Sequence, residues 1–359
     1  MLLYEERYEF FLGYECLLTL YEKYGNELKD ATLILGNGSS ISYSSKFAYS
    51  SLYDEAAFTD KEKQLFDKFD TNNFEYILRK LFQAGEVNKV LELDQGKKVN
   101  SVYENIRLKL IETIKCIHPA MSDIDPATVH DRVFKYMMDY RYIIDLNYDF
   151  LLYWILSRDG VLSSFSIEGN RAGRNVFQGS PFQYFYDGFR RNFGDHLSFD
   201  YDFVEAEIQK GEKTGIFYPH GNLLFVRDKF DGETLKIKSK GDLFDVVDKD
   251  WEKGYTPLFI SEGIANKKLK SIRSVPYLNY VYNEILNNLS DFIVIYGWSM
   301  GDCDNHLIKK IFSNKKIKTV AVSIYNRNRD LQAIQEEQTL IERKIKKYND
   351  EITVEFWEC

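Results

Sequence analysis

Short runs of apolar residues, mostly β-branched or aromatic, recur along the chain, and most of them are continuous rather than alternating. A strand covered on both faces needs apolar residues at successive positions, as in a parallel sheet between two layers of helices. Helical segments lie between many of these runs. The alternation predicts a Rossmann-like, doubly wound α/β fold with a mainly parallel sheet. The predicted strands are Ala31–Leu35, Tyr142–Leu146, Gly215–Pro219, Pro257–Ile260, Phe292–Tyr296, Ile317–Ile324 and Ile352–Phe356.

Two stretches depart from this alternation. Residues 59–140 show helical spacing of apolar residues and no convincing strand, which predicts a helical insertion in a core formed by residues 1–58 and 141–359. Residues 160–211 are rich in Gly, Ser, Phe and Arg and are too long for an ordinary connection between strand and helix. We expect this segment to be an irregular lid or a partner-contact segment within the core.

Charge and composition narrow the class of protein. The 359 residues include 55 acidic and 47 basic side chains, which gives a net charge of −8 and argues against direct nucleic-acid binding. No apolar run approaches the roughly 20 residues of a membrane span, and charges interrupt the N-terminal MLLYEERYEF where a signal peptide would be apolar. The four cysteines form no Cys-x-x-Cys pair. We expect a cytoplasmic protein without membrane contact or a structural zinc module.

A glycine-rich turn follows the first predicted strand. Its residues are Gly36, Asn37, Gly38, Ser39 and Ser40. Glycines at such a turn let backbone N–H groups approach a phosphate, and the N-terminus of the following helix favours an anion. Ile41 stands where the dinucleotide fingerprint has its third glycine. A plain tight turn therefore explains this motif as well as a cofactor loop does.

Asn147 and Asp149 follow the second predicted strand of the core. Ligands of open α/β sheets bind beyond the carboxyl ends of the strands, so both side chains stand where functional groups are expected. Each also has a structural interpretation. Asn147 could cap the next helix, and Asp149 could be a first-turn carboxylate favoured by the helix dipole.

His220 ends another predicted strand and precedes Gly221. An imidazole at such an opening can act as a base near neutral pH, although a hydrogen-bonded loop histidine is a competing interpretation. We expect structural roles for the other histidines, because their segments carry no further chemical cue. They are His118, His130, His196 and His306.

A fourth motif follows the predicted strand that ends at Tyr296. Gly297 would allow close approach to a ligand, and Ser299 could bond a ribose hydroxyl. An Asp-x-Asp pattern ending at Asp304, with His306 close by, is compatible with metal ligands. Without further ligands, helix capping is the better interpretation of the pattern, and we expect no metal.

Two weaker signals complete the set. Tyr325 follows the predicted strand Ile317–Ile324 and could border the same crevice. A basic cluster fits a solvated helix face. This cluster consists of Lys267, Lys268, Lys270 and Arg273.

The order of these motifs resembles that of the sirtuin superfamily. It comprises a Gly-x-Gly-Ser turn after the first strand, an Asn-x-Asp after the next core strand, a His-Gly, and a late Gly-x-Ser at a strand end. The segments LNYDFLLYW, YPHGNLLF, SEGIANKKLKSI and IYGWSMGDCDNHLI also look like blocks of a sirtuin-like branch found in bacterial antiphage defence. The resemblance extends from Leu33 to Tyr325, and covers the core strands well and the helical insertion poorly.

The resemblance implies hydrolysis of NAD+ rather than deacylation. Sirtuin deacylases carry paired Cys-x-x-Cys zinc ligands, which are absent from this chain, and the interval from Asn147 to His220 is longer than theirs. Defence members of the superfamily hydrolyse NAD+, and some work with a HerA-type hexameric ATPase. The resemblance therefore implies a homo-oligomeric NAD+ glycohydrolase that depletes NAD+ during infection and is regulated by such a partner.

The resemblance also implies a role for each motif, with NAD+ as substrate and no metal. Asn147 would hold the nicotinamide ribose and the attacking water, His220 would act as base, and Asp149 would orient the site or stabilise positive charge. The remaining cofactor-binding residues would be Gly36, Asn37, Gly38, Ser39 and Ser40 at the pyrophosphate, and Gly297, Ser299 and Tyr325 at the adenosine end. The main alternative is a subunit that binds NAD+ or ADP-ribose without hydrolysis and acts in signalling or as a scaffold of a defence complex.

Overall fold

Two β-sheets and their flanking helices form the fold in a computed structural model of the chain. The structure describes residues 20–93, 95–118, 137–157, 184–227, 233–238, 250, 255–260, 265–326 and 329–358. In chain order the strands are β1 Thr32–Leu35, β2 Tyr142–Asp145, β3 Phe185–Tyr186, β4 Phe189–Phe193, β5 His196–Phe199, β6 Thr214–Phe217, β7 Gly221–Arg227, β8 Thr234–Ile237, β9 Thr256–Phe259, β10 Phe292–Tyr296, β11 Thr319–Ile324 and β12 Thr353–Glu358.

The described helices precede, connect and flank these strands. They are α1 Asn37–Tyr43, α2 Tyr49–Glu55, α3 Asp60–Lys68, α4 Phe74–Val90, α5 Gln95–Ile117, α6 Leu151–Ser157, α7 Tyr201–Lys210, α8 Ala265–Arg273, α9 Pro276–Tyr280, α10 Asn305–Phe312 and α11 Leu331–Lys346. Short 3-10 turns occupy Gly25–Leu28, Ser45–Phe47 and Asp302–Asp304, and a π-helical turn occupies Val281–Ile285. None of the helices described is long and apolar enough to cross a membrane.

The first sheet is parallel and has the strand order β12-β11-β10-β1-β2-β6-β3. Ile34 at its centre faces Ile295 of β10 on one side and Ile144 of β2 on the other, and all three are fully buried. Burial at successive positions explains the continuous apolar runs of the sequence. The predicted Rossmann-like, doubly wound α/β fold with a mainly parallel sheet is confirmed.

Later strands are added to the sheet on both sides of β1. The chain continues first to β2 and β6, and only later returns to β10 on the other side of β1. The gap between β1 and β10 is thus the point where the strand order reverses. Open α/β sheets bind ligands at the carboxyl ends of the strands beside such a switch point.

The second sheet is antiparallel, with the order β4-β5-β8-β7-β9, and the sequence did not predict it. The run at Pro257–Ile260 is a strand as expected, but β9 pairs with β7 in this sheet rather than joining the parallel one. The prediction of an irregular segment at 160–211 is wrong for residues 184–211, because this range contains β3, β4, β5 and α7. Residues 160–183 lie outside the described residues.

Three helices, α3, α4 and α5, lie where the insertion was predicted. Thr59 caps α3 through a capping box with Glu62, and the Asn73 side chain accepts the Tyr76 N–H at the start of α4. The apolar faces of α4 and α5 are buried, as at Phe74. Residues 119–136 are outside the described part, and the domain boundaries remain a prediction.

Candidate functional site

A cavity of about 170 Å³ lies at the carboxyl edge of the parallel sheet. Its polar wall comes from the loops after β1, β2, β6 and β10, and its apolar wall comes from the segment 47–114. The polar wall includes Gly36, Asn37, Asn147, Tyr148, Asp149, His220, Gly297, Trp298, Ser299, Gly301, Cys303 and Asp304. The apolar wall includes Phe47, Leu52, Phe74, Leu110 and Ile114. The insertion, which carried no chemical motif in the sequence, thus contributes Phe74, Leu110 and Ile114 to one side of the site.

The loops after β1 and β10 pack backbone against backbone beside the cavity. Gly297 has φ +70°, and a Cβ there would lie 2.3 Å from Ser39 N. A Cβ at Gly36 or Gly38 would come within 2.6 Å of the backbone of Gly297. Only glycine fits this contact, because a Cβ at any of the three positions would collide, and at Gly297 the positive φ adds a further cost.

Three backbone N–H groups of the glycine turn are engaged within the protein. Gly36 N donates to the Tyr296 carbonyl over 2.9 Å, and Gly38 N to the Gly297 carbonyl over 2.8 Å. Ser39 N donates to the Gly36 carbonyl over 2.9 Å. The turn therefore joins β1 to β10, and its predicted contact with a pyrophosphate remains a prediction.

Asn147 is buried and connects the loop after β2 to the loop after β1. Its Nδ2 donates to Ser39 Oγ over 3.2 Å, and its backbone N–H donates to Asp145 Oδ1 over 3.0 Å. Its side chain lines the cavity. Ser39 does not line the cavity, but it orients the amide that does.

Asp149 makes a second connection between the same two loops. Its Oδ2 accepts the Ser40 hydroxyl over 2.7 Å, and its Oδ1 accepts the Leu151 N–H over 2.9 Å at the start of α6. Asp149 thus precedes α6 and binds the first N–H of this helix from outside its first turn, and the same carboxylate also lines the cavity. Sequence reasoning missed Asn222, whose Nδ2 donates to the carbonyls of Asn147 and Asp149 over 3.3 and 2.7 Å.

Asp145 lies at the end of β2, beneath these two residues, and is fully buried. Burial, followed by the nearby charge of Asp149, holds the pKa of its carboxyl well above the usual range, although the Asn147 N–H opposes the shift. The carboxyl is thus biased towards its neutral form. It supports the Asn147 loop and does not line the cavity.

His220 lies in the turn between β6 and β7, where the chain passes from one sheet to the other. It is 2% exposed and lines the cavity. Its Nε2 lies 3.2 Å from His306 Nε2 and 3.8 Å from Asp304 Oδ1. Burial, followed by the charge of Lys268, holds the pKa of His220 well below its usual range, so the imidazole is neutral at neutral pH.

Three charged or ionisable neighbours of His220 were not expected at the site. Asp304 Oδ1 lies 3.4 Å from Lys268 Nζ, and Asp304 Oδ2 accepts the Trp298 indole N–H over 3.0 Å. Burial opposes ionisation of Asp304, but the charge of Lys268, together with the Trp298 hydrogen bond, lowers its pKa to about 2. Burial, followed by Lys268, lowers the pKa of His306 to about 4.

Two of these neighbours correct sequence-based predictions. Lys268 is 1% exposed, so the prediction of a solvated helix face is wrong for this residue. His306, expected to have a role without chemistry, faces His220 across 3.2 Å. The Asp-x-Asp pattern beside His306 was its sequence signal, whereas Lys268 had none. Helices α8 and α10 are far from His220 in sequence and meet it only in the fold.

The other predicted residues divide between the cavity and its surroundings. Gly36, Asn37, Gly297 and Ser299 line the cavity, whereas Gly38 and Ser40 lie behind that wall. Tyr325 is also outside the lining and is 58% exposed. His220, Asp304 and His306 each offer a ligand atom, all within 4.8 Å of one another, and no other such group exists among the residues that the structure describes.

The comparison with known families covers nearly the whole fold. Residues 33–359 match a family described as a domain of unknown function, DUF4917. The chain belongs to the DUF4917 family. The matched range contains every described residue that lines the cavity, so the site is part of the family's domain. A search among curated proteins finds no match.

Proposed function

We propose that this DUF4917 protein is an NAD+ glycohydrolase that cleaves NAD+ to nicotinamide and ADP-ribose. One observation carries the proposal. Asn147 and Asp149 from the loop after β2, His220 from the turn after β6 and Gly297 from the loop after β10 line one cavity beside the switch point of the parallel sheet. These are positions at which the sirtuin-like order of motifs predicts the nicotinamide ribose and its base.

The size and walls of the cavity suit the reactive end of the substrate. Typical small-molecule sites have roughly 300–1,000 Å³, so a cavity of about 170 Å³ accommodates the nicotinamide ribose rather than the whole dinucleotide. The apolar residues Phe74, Leu110 and Ile114 form one wall. This wall would keep bulk water from the reacting carbon.

The reaction breaks the bond between the nicotinamide nitrogen and the ribose C1′. Nicotinamide leaves as a neutral molecule with the bonding electron pair, and water adds to the oxocarbenium-like carbon as its proton passes to a base. Asn147 would position the ribose and the water, and Asp149 would stabilise the developing positive charge. His220 would accept the proton, since its imidazole is neutral.

We place this activity in bacterial antiphage defence. The protein would act as a homo-oligomer, and a HerA-type partner ATPase would regulate its hydrolysis of NAD+. This assignment rests on the sirtuin-like motifs. It predicts that infected cells carrying the protein and its partner lose NAD+ while cells carrying the Asn147→Ala variant keep it. Equal NAD+ levels in the two cultures after infection would contradict the defence role.

Release of nicotinamide by the purified protein tests the proposal. We would follow NAD+ and nicotinamide by chromatography for the wild type, Asn147→Ala and Asn192→Ala, with and without the partner ATPase. Asn192 is a matched control because it lies on β4 of the other sheet, where its side chain accepts from Lys238. We expect Asn147→Ala to abolish release and Asn192→Ala to retain it. Release unaffected by Asn147→Ala in a folded protein would refute the proposal.

A module that binds NAD+ or ADP-ribose without cleaving it is the second candidate. The pKa of His220 favours this candidate, because a pKa well below the working pH makes the imidazole a weak base. The same chromatographic experiment separates the two functions when equilibrium binding of NAD+ is measured beside it. Binding of NAD+ without release of nicotinamide under any condition would establish the module.

A further inference from the structure

We propose that His220, His306 and Asp304 form a binding site for one divalent transition-metal ion, with zinc as the reference ion. The three side chains come from the turn after β6, from α10 and from the 3-10 turn before α10. Their ligand atoms all lie within 4.8 Å of one another. The inference does not depend on NAD+ cleavage, although it shares His220 with that proposal.

The two imidazoles are arranged as a pair of zinc ligands would be. Two nitrogens bound to one tetrahedral zinc ion at about 2.0–2.1 Å lie about 3.3–3.4 Å apart. The two Nε2 atoms of His220 and His306 are 3.2 Å apart. Asp304 Oδ1 lies 3.8 Å from His220 Nε2, within a small side-chain movement of a third position. Without an ion, only one of the facing Nε2 atoms can donate to the other.

The composition of the ligand set decides the class of ion. Two neutral imidazoles and one carboxylate suit zinc and its neighbours in the first transition row, whereas Mg²⁺ and Ca²⁺ prefer oxygen ligands throughout. Both His220 and Asp304 line the cavity. A fourth coordination position would therefore face the cavity, as in zinc sites that keep one position for water or substrate.

Lys268 gives the proposal its sharpest test. Its ammonium lies 3.4 Å from Asp304 Oδ1 and supplies the positive charge that faces this carboxylate. An incoming divalent ion meets repulsion from that ammonium and must displace it or its proton. Removing the charge should therefore tighten metal binding, whereas removing a ligand should weaken it.

Titration of the full chain with Co²⁺ measures the site directly. The protein is first freed of metal by dialysis against a chelator. Binding is then followed by the visible absorption of four-coordinate Co²⁺ and by displacement with Zn²⁺. We expect one ion per chain for the wild type. His306→Ala should weaken binding by more than about 100-fold, because losing even an outer partner of a ligand costs 10–100-fold.

Two further variants and a control complete the design. Lys268→Met should bind Co²⁺ at least about tenfold more tightly. Asp304→Asn keeps the shape of the side chain but loses its charge, and this variant should bind Co²⁺ more weakly. His196→Ala removes a different buried histidine, paired with Asp250, and should leave affinity unchanged. Circular dichroism shows whether each variant is folded.

Several outcomes would overturn the proposal. They are no Co²⁺ absorption in the wild type, equal affinities for His306→Ala and His196→Ala, or weaker binding by folded Lys268→Met. None of these readouts requires NAD+, so failure of the metal site and failure of the glycohydrolase are distinguishable. If both proposals hold, bound Zn²⁺ occupies the Nε2 of His220 and so prevents this atom from acting as the base. Zn²⁺ should then slow nicotinamide release, and a chelator should restore the rate of release.

Discussion

Buried polar side chains have different kinds of neighbours in the two sheets. In the antiparallel sheet, two buried side chains pair with carboxylates: His196 Nε2 lies 2.8 Å from Asp250 Oδ2, and Lys236 forms an ion pair with Asp187. At the carboxyl edge of the parallel sheet, His220 faces a second imidazole and lines a cavity.

The difference separates structural pairs from groups left accessible to a ligand. A closed pair stabilises the fold only as long as both partners remain, because breaking it leaves a buried charge uncompensated. A group that lines a cavity can change partners. Mutations that break a buried closed pair should therefore affect stability, and truncation of polar side chains that line the cavity should affect ligand chemistry.

The largest expected loss of stability is at the backbone contact beside the cavity. Gly297→Ala would place a methyl group 2.3 Å from Ser39 N at φ +70°, and we expect the free energy of unfolding to fall by about 4 kcal/mol or more. Gly194→Ala is the matched control, because Gly194 has φ +57° in the β4–β5 turn with nothing within 4 Å. It should cost only about 1–2 kcal/mol. Equal losses in chemical denaturation would show that the contact is not tight.

The closed pair of the antiparallel sheet should give the next largest effect. His196→Ala leaves the buried Asp250 carboxylate without its imidazole partner, and we expect a loss of about 3 kcal/mol in the free energy of unfolding. Urea denaturation measures this loss. An unchanged midpoint would mean that the pair is not structural, and the contrast between the sheets would fail.

Substitution of Asp145 should raise the free energy of unfolding at neutral pH, whereas the two substitutions above should lower it. Its pKa is raised in the folded protein, so as the pH rises above about 4 the unfolded chain releases this proton first and the folded state loses stability. Asp145→Asn keeps an oxygen for the Asn147 N–H and removes the titration. We expect the variant to be more stable than wild type by about 1 kcal/mol or more at pH 7.

Melting temperatures from pH 4 to pH 8 test this expectation. The gain of Asp145→Asn over wild type should shrink towards pH 4, where the wild-type carboxyl is protonated in both states. A constant difference across the range would contradict the assignment of a raised pKa to Asp145.

The smallest effect is expected at an exposed pair of the antiparallel sheet. Arg191 makes two hydrogen bonds of 2.9 Å to Asp200, but its side chain is 57% exposed. Arg191→Ala should cost less than about 1 kcal/mol, because water competes for such pairs. A loss as large as that of His196→Ala would show that burial does not decide which pairs matter.

The parallel sheet was predictable because burial on both faces leaves continuous apolar runs, such as Phe292–Tyr296. The antiparallel sheet was not. Its strand β9 has the same kind of run, and periodicity does not reveal which sheet a short apolar strand joins. β4 has one buried residue followed by four exposed ones, which leaves no periodic signal.

For the site, the sequence predicted the residues at strand ends but not those that come from helices. Asn147, Asp149 and His220 stand at strand ends, and the topology of a parallel sheet brings strand ends together. Lys268 and His306 come from helices, and their approach to His220 depends on packing that no local pattern encodes. Asn222 was hidden for the same reason, since its role is to hold two distant backbone carbonyls.

We propose that cavity-lining groups act on NAD+ while closed pairs stabilise the fold, and one paired measurement tests this proposal most directly. Nicotinamide release and melting temperature would be recorded side by side for His220→Ala and His196→Ala, below both melting temperatures. We predict that His220→Ala melts near wild type and loses roughly 10²–10⁴-fold in release, whereas His196→Ala melts lower and keeps its release. Near-normal release by folded His220→Ala would contradict the account.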